Sequence, residues 1–270
     1  YIYYIMLINT NILKTFYTSM LFGMPSLMNN PINKNTLYTS FTVEPLSTYI
    51  NFKLDKQQIH YIKDYLKKNT NNLILTTTKL NTNDIEDYFI SVNIYNCTSP
   101  LFYMVSNEPV SRCEINTYIS NENNINGTLI MDYVSNKLSL DPDNIFKNRE
   151  TLKFYNKIQD ISNNIMIGFA NSKNIFLDFK YNILSKYDII PENNIDKKLV
   201  KFSDYIFYNN GIYDKLFYDT SLLDNKIVFP NYFDVYFKFF DLEFTEPHSI
   251  FYFTENINFV GGMWANLNEE

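Results

Sequence analysis

Residues 54–68 read LDKQQIHYIKDYLKK and form the clearest helical pattern in the chain. Asp55 can accept hydrogen bonds from the first turn, and Gln58, three residues later, completes the pattern of a capping box. The apolar residues that follow at helical spacing are Ile59, Ile62, Tyr65 and Leu66. Because they make one stripe while lysines take the other side, we expect an amphipathic helix that packs on a sheet.

Beyond this helix the chain is dominated by short runs of β-branched and aromatic residues, separated by Asn, Ser, Pro and Gly. Such runs are typical of strands, and an aromatic share of 17% favours them further. Asn210-Gly211 lies between two aromatic runs in 205–218 and predicts a hairpin. The other predicted strands are 73–80, 88–97, 112–119, 128–134, 165–170, 175–181, 233–239 and 249–253.

About ten strands and one helix predict an α+β, mostly β fold. We expect an antiparallel β-barrel or sandwich with the amphipathic helix packed on it, because so many strand edges must be covered. The 270 residues are enough to bury one large core without disulfides or metals. The expected organisation is a weakly structured N-terminal arm, 1–36, followed by a single β-rich domain, 37–270.

Charge and composition exclude several function classes. The net charge of −6 argues against nucleic acid as a partner, because phosphate binding needs clustered Lys and Arg. The apolar first 25 residues are interrupted by Asn9, Asn11 and Lys14, so they do not predict a membrane span. We expect a soluble, cytoplasmic protein from an AT-rich genome, whose coding bias explains the many Asn, Ile and Lys residues.

The common catalytic signatures are missing from the sequence. Two histidines, His60 and His248, cannot build a histidine-rich metal site, so no metal is predicted. Cys97 and Cys113 are expected to be buried thiols. No phosphate-binding glycine loop or dinucleotide motif is present, and no cofactor is predicted. Gly261-Gly262 is expected to make a tight turn.

The best chemical candidates are Arg112 and Glu114, which alternate with Cys113 along a predicted strand and therefore share one face. If that face points into a barrel, a carboxylate beside a guanidinium can orient a ligand or tune the pKa of a lysine. The alternative is an ordinary cross-strand ion pair with a structural role.

Four segments carry a resemblance to a known family. The run TYINFK (48–53) leads directly into the helix, and YFISVNIY (88–95), RCEINTY (112–118) and GTLIMDYVSN (127–136) follow in order. Over about residues 47–147 this order resembles the acetoacetate decarboxylase-like superfamily. The resemblance implies a β-barrel that binds or converts a small carbonyl or carboxylic-acid ligand, and a lyase of the decarboxylase type if the protein is active.

The resemblance also implies roles for individual residues. In that family a lysine forms a Schiff base with the substrate, and a glutamate lies nearby. Glu114 falls where the glutamate is expected, Lys147 is the nearest lysine, and Arg112 would bind the substrate. Lys147 lacks the preceding proline and the neighbouring second lysine of the family. The resemblance is therefore also compatible with a catalytically degenerate protein.

Two functions therefore remain open at the level of sequence. The first is the decarboxylase-like barrel with a small-molecule ligand. The second is a non-enzymatic structural or interaction subunit, either a homo-oligomer or part of a protein assembly, because Tyr and Phe are abundant and favour interfaces.

Overall fold

The computed structural model describes residues 37–70, 72–80, 84–98, 110–135, 155–160, 165–183, 205–207, 213–218, 227–228 and 233–265. This part of the chain contains one helix and sixteen strands. The elements are β1 (Leu37–Val43), β2 (Thr48–Lys53), α1 (Lys56–Asn69), β3 (Ile74–Leu75), β4 (Phe89–Thr98), β5 (Val110–Ser120), β6 (Asn126–Ser135), β7 (Tyr155–Asp160), β8 (Ile165–Asn171), β9 (Ile175–Asn182), β10 (Tyr205–Phe207), β11 (Tyr213–Tyr218), β12 (Ile227–Val228), β13 (Phe233–Phe239), β14 (Leu242–Phe244), β15 (Ser249–Phe253) and β16 (Ile257–Ala265).

The strands form two sheets, of eleven and five strands. The larger has the order β12-β15-β2-β4-β1-β16-β11-β10-β6-β5-β3, and the smaller has the order β14-β13-β9-β8-β7. Among the described strands, the pairing of β6 with β10 is parallel and the others are antiparallel. The predicted fold class, a mostly antiparallel β-barrel or sandwich with one helix, is confirmed.

Seven strands of the larger sheet close into a ring. One edge of β4 is shared, because residues 89–94 pair with β2 and residues 97–98 pair with β1. The other edge of β4 pairs with β5. The pairings therefore run from β4 through β1, β16, β11, β10, β6 and β5 back to β4, which satisfies strand edges that would otherwise be exposed.

The smaller sheet packs on one face of the larger one. The ring of Phe52 in β2 lies 5.5 Å from that of Phe237 and 5.1 Å from that of Phe244, and Tyr181 of β9 stacks on Tyr252 of β15 at 5.1 Å. A ring of seven strands has room inside for side chains or one small ligand. A five-stranded sheet does not fit in this space, so the smaller sheet covers the outer face of the larger one. The opposite face of the larger sheet lines the ring and is called the inner face below.

The helix α1 forms as its sequence predicts. Asp55 Oδ1 accepts hydrogen bonds from the backbone N–H groups of Gln57 and Gln58, each at 2.8 Å, and Gln58 Oε1 accepts one from the Asp55 N–H at 2.8 Å. Ile62 and Leu66 are buried in the main core. The capping box and the apolar stripe are thus confirmed.

The cap provides a first testable prediction. We expect Asp55→Ala to lower the free energy of unfolding by about 1 kcal/mol, because two N–H groups of the first turn lose their acceptor. Urea denaturation measures the change. The control is Lys56→Ala at the next, exposed position, where a change within about 0.5 kcal/mol is expected. Equal losses in both variants would contradict the role of the cap.

The hairpin predicted in 205–218 is confirmed by the antiparallel pairing of β10 with β11, in which Phe207 lies opposite Tyr213. The predicted turn, Asn210-Gly211, lies outside the described residues. The predicted arm, 1–36, also lies outside them, and its weak structure stays a prediction.

Two predictions made from local pattern differ from the structure. Of the strand predicted at 73–80, only Ile74–Leu75 pairs as a strand, with β5, and Thr78 makes one isolated bridge. Gly261-Gly262 is not a turn, because both glycines lie within β16, opposite Thr39 and Tyr38 of β1. Pairing along a whole neighbouring strand overrides the local preference of glycine for turns.

A bulge interrupts β6 at Met131. The register with β5 shifts after Ile115, so that Met131 is an extra residue in the pairing. Such a residue loses its ladder hydrogen bonds, and here the hydroxyl of Tyr65 in α1 donates to the Met131 carbonyl at 2.8 Å. The bulge also brings Ile130 and Tyr133, three residues apart, into one buried cluster.

Candidate ligand site on the inner face

The inner face of β4 and β5 is polar, although it is buried. On the outer face, alternate residues of the same strands, such as Val92 and Ile115, belong to the main apolar core. Burial of polar groups is costly unless they find hydrogen-bond partners, so a polar face inside a ring needs an explanation. Its buried polar residues, with those of the neighbouring strands β2 and β6, are Asn51, Ser91, Asn93, Arg112, Glu114, Asn116 and Ser135.

Arg112 and Glu114 meet on this face, as their alternation predicts. Arg112 Nε lies 2.6 Å from Glu114 Oε1, and the two side chains are 9% and 8% exposed. The contact is an ion pair and not a hydrogen bond, because the Nε–H group of Arg112 is not aligned with the carboxylate oxygen. The guanidinium also lies 4.0 Å from the ring centre of Tyr133 in β6. This contact lies within one strand, and the structural role that the alternative gives to the pair stays a prediction.

Tyr95 adds a proton donor to the pair. It lies opposite Arg112 in the β4–β5 register, and its hydroxyl donates to Glu114 Oε1 at 2.6 Å. Burial raises the pKa of the Tyr95 phenol well above its usual range, and the negative charge of Glu114 raises it further. The phenol therefore stays protonated at neutral pH and can hold this hydrogen bond.

Two amides beside the pair each have an unused acceptor. Asn93 lies opposite Glu114 in the register, and its Nδ2 donates to the hydroxyl of Tyr49 at 3.0 Å. Asn116 is the next inner-facing residue after Glu114 on β5. The Oδ1 atoms of Asn93 and Asn116 are buried, and in the described part of the chain neither accepts a hydrogen bond.

A third amide on the same face is satisfied. Asn51 Oδ1 accepts from the Ser91 hydroxyl at 2.6 Å, and Asn51 Nδ2 donates to the Ser249 hydroxyl at 3.1 Å. Among the described residues, the inner face therefore contains a completed network at Asn51 and two amide oxygens without a donor beside Glu114.

The structure places two of the three predicted site residues. Arg112 and Glu114 are brought together, whereas Lys147 lies outside the described residues and its role stays a prediction. Sequence reasoning missed Tyr95, Asn93 and Tyr133, which reach the pair from β4 and β6. The sequence ISVNIY (90–95) contains a pattern that indicates the β4 residues. Its second, fourth and sixth residues, Ser91, Asn93 and Tyr95, alternate with aliphatic residues and so share one face of the strand.

Both cysteines are free and buried, as predicted. Burial raises the pKa of the Cys97 thiol to about 12, and it raises that of Cys113 as well. Cys113 lies opposite Ile94 and belongs to the main core, whereas Cys97 lies opposite Val110. A thiol with such a pKa is a poor nucleophile at neutral pH, since the thiolate is the reactive form.

This burial predicts slow thiol labelling. At pH 8 a thiol with a pKa of about 12 is ionised in about one molecule in ten thousand, so we expect neither cysteine of the native protein to react within minutes with a disulfide reagent. After denaturation in urea, both thiols of the chain should react. Spectrophotometric thiol counting measures both states, and rapid labelling of the native protein would contradict the burial.

Each of the two histidines contacts a carboxylate. His60 is exposed on α1, with Nε2 3.6 Å from Asp64 Oδ2, and His248 Nε2 lies 3.2 Å from Asp84 Oδ2. Within the described ranges, no group of three His, Cys, Asp or Glu side chains could hold a metal ion. The described helix is also not long and apolar enough to cross a membrane.

Comparison with known proteins gives a likeness of fold. No family model and no curated protein matches the sequence. An acetoacetate decarboxylase-like enzyme from Sphingomonas wittichii RW1 is 7% identical with a TM-score of 0.44, over 90% of this chain and 95% of that one. Acetoacetate decarboxylase from Legionella pneumophila is 11% identical with a TM-score of 0.37, over 91% and 93%.

The enduracididine biosynthesis enzyme MppR, in a complex with pyruvate, is 8% identical to this chain with a TM-score of 0.44, over 90% and 92% of the two chains. The similar structures include acetoacetate decarboxylase-like enzymes. The likeness concerns the course of the backbone, and it assigns no role to any residue here.

Proposed function

We propose that this protein binds a small carboxylic acid or carbonyl compound on the inner face of its strand ring, beside Arg112 and Glu114. The observation that carries the proposal is the buried ion pair, which shares its face of the sheet with other buried polar side chains. A buried ion pair is weak evidence for stability, because desolvation offsets most of the attraction between the charges. Buried titratable groups of this kind are more common at functional sites.

Each member of the pair has a role in this proposal. The planar guanidinium of Arg112 can bind a carboxylate through two parallel hydrogen bonds, and the Tyr133 ring and Glu114 hold it in place. Glu114 and the protonated Tyr95 supply an acceptor and a donor next to the acid group. The arrangement suits a ligand with a carboxylate at one end and a carbonyl or hydroxyl group within a few ångströms of it.

Binding can be tested with acetoacetate as the probe and acetone as the neutral control. We expect isothermal titration calorimetry to detect acetoacetate at millimolar concentration and to detect no acetone. The double variant Arg112→Met/Glu114→Gln should lose the acetoacetate signal while it still unfolds cooperatively. Absence of acetoacetate binding to the unaltered protein, or equal binding by the double variant, would overturn the proposal.

Schiff-base chemistry at Lys147 is a separate part of the proposal, which rests on the family resemblance. A neutral lysine would attack the ketone of a β-keto acid and form a protonated imine with loss of water, and the imine would accept the electron pair of the C–C bond that breaks as carbon dioxide leaves. Protonation of the resulting enamine and hydrolysis by water would release the ketone and the free lysine. Borohydride reduction with acetoacetate present, followed by mass spectrometry, should then show an adduct on Lys147 that is absent from Lys147→Met. A protein without an adduct on any lysine would exclude this chemistry and leave ligand binding intact.

The alternative, a non-enzymatic subunit of an assembly, also stays a prediction. Analytical ultracentrifugation tests it. A strictly monomeric species that copurifies with no other protein would count against the assembly role.

A further inference from the structure

Two buried amide oxygens lie beside Glu114, one across the strand pair on β4 and one farther along β5. Asn93 and Asn116 are 7% and 5% exposed, on neighbouring strands and on the same face. They are diagonal neighbours, because Asn93 pairs with Glu114 and Asn116 pairs with Ser91. Diagonal neighbours in a sheet have Cα atoms about 7 Å apart, so one small molecule can contact both amides.

A buried acceptor without a donor is rare in folded proteins, because it loses its hydrogen bond to water and gains nothing in exchange. Asn51, on the same face, shows that this fold can satisfy an asparagine when its neighbours carry hydroxyl groups. The amide oxygens of Asn93 and Asn116 accept nothing from the residues that the structure describes. Donors for these oxygens must therefore come from outside the described residues, and a bound molecule or water can supply them.

We propose that the ligand of this site carries hydrogen-bond donors, hydroxyl or ammonium groups, in addition to its acid group. The inference rests on the proposed function, which places the acid group at Arg112. Inner-facing residues repeat about every 7 Å along a strand, so Asn93 and Asn116 lie within reach of a molecule of a few carbon atoms held by Arg112. An acid without donors would leave both amide oxygens unsatisfied when it displaces water, and it would bind more weakly for that reason.

Four three-carbon acids test this inference by calorimetry. Propionate has no donor beside its carboxylate, lactate has one hydroxyl, glycerate has two, and alanine has an ammonium group. We expect glycerate or alanine to bind about tenfold more tightly than propionate, the difference that one well-formed hydrogen bond can make. Lactate should bind with intermediate affinity if hydroxyl groups are the donors, whereas a preference for alanine alone assigns the donor to an ammonium.

The outcomes separate this inference from the proposed function. If propionate binds as tightly as the other three acids, water fills the amide site and the inference is overturned, while acid binding at Arg112 stands. If none of the four acids binds, the inference fails, and the acetoacetate titration alone decides the proposed function. The comparison uses the unaltered protein, so it does not depend on the folding of any variant.

Substitutions of Asn93 and Asn116 test whether their amide oxygens accept the hydrogen bonds of the ligand. Asn93→Leu and Asn116→Leu keep the side-chain shape and remove the acceptor, so the ratio of glycerate or alanine affinity to propionate affinity should fall towards one. The matched control is Asn171→Leu, on an exposed position of β8, which should keep the ratio of the unaltered protein. An unchanged ratio in both inner-face variants would show that the donors bind elsewhere and would overturn the assignment.

Discussion

Glu114→Gln is expected to lower the free energy of unfolding by about 3 to 5 kcal/mol, because it removes the negative charge that lies 2.6 Å from the buried Arg112 guanidinium. Glutamine has nearly the same shape, and its amide oxygen can still accept from the Tyr95 hydroxyl. The decrease in unfolding free energy therefore measures the loss of the charge and not a change in packing. Urea denaturation with two-state analysis measures it.

Two controls make this result specific. The double variant Arg112→Met/Glu114→Gln removes both charges, so it should recover most of the stability. The exposed pair of Lys238 and Glu243, with atoms 3.3 Å apart, provides a second control, and Glu243→Gln should change stability by less than about 1 kcal/mol. A single variant as stable as the unaltered protein would mean that water reaches Arg112 readily.

Phe52→Ala is expected to cost about 3 to 5 kcal/mol of unfolding free energy, the range found when a large buried aromatic side chain is truncated. Phe52 is 1% exposed and contacts two aromatic rings of the smaller sheet, so the substitution leaves a cavity between the sheets. Phe233→Ala, at a position 40% exposed on the smaller sheet, is the control, and we expect a loss of about 1 kcal/mol or less.

Thermal and urea unfolding should both detect the loss in Phe52→Ala. The transition should remain single if the two sheets share one core, as the joint burial of Phe52 and Phe237 indicates. A change as small as that of Phe233→Ala would contradict the tight packing of the sheets. Two separate transitions in the unaltered protein would contradict the single core.

Much of the fold could be predicted from local pattern. The helix is determined by Asp55, Gln58 and one apolar stripe within fifteen residues, so no distant contact was needed to find it. Strands with strict alternation, such as β9 and β13, were found with ends at or next to those of the structure. The strand β16 was missed, because Gly261-Gly262 favours a turn locally and only its pairing with β1 keeps it extended.

The candidate site was predicted only within one strand. Alternation alone puts Arg112 and Glu114 on the same face, whatever strand lies beside them. Tyr95 reaches Glu114 because β4 pairs with β5 in one particular register, and a shift of one residue would turn Tyr95 to the outer face. The sequence contains no local feature that specifies this register, so neither Tyr95 nor Asn93 could be assigned to the site.

The extra residue at Met131 has a consequence for how this chain tolerates change. The two halves of β6 are out of phase, and the phase difference allows Tyr133 to lie against Arg112 while Leu129 joins the main core. Deletion of Met131 would give a regular strand in which both halves keep their faces and their partners in β5, whereas an added residue would turn one half over, so that buried aromatic and aliphatic side chains exchange sides. The strand can therefore lose the bulged residue without a change of register, but it cannot gain a residue, and insertions in descendants of this sequence should be confined to the connections outside β6.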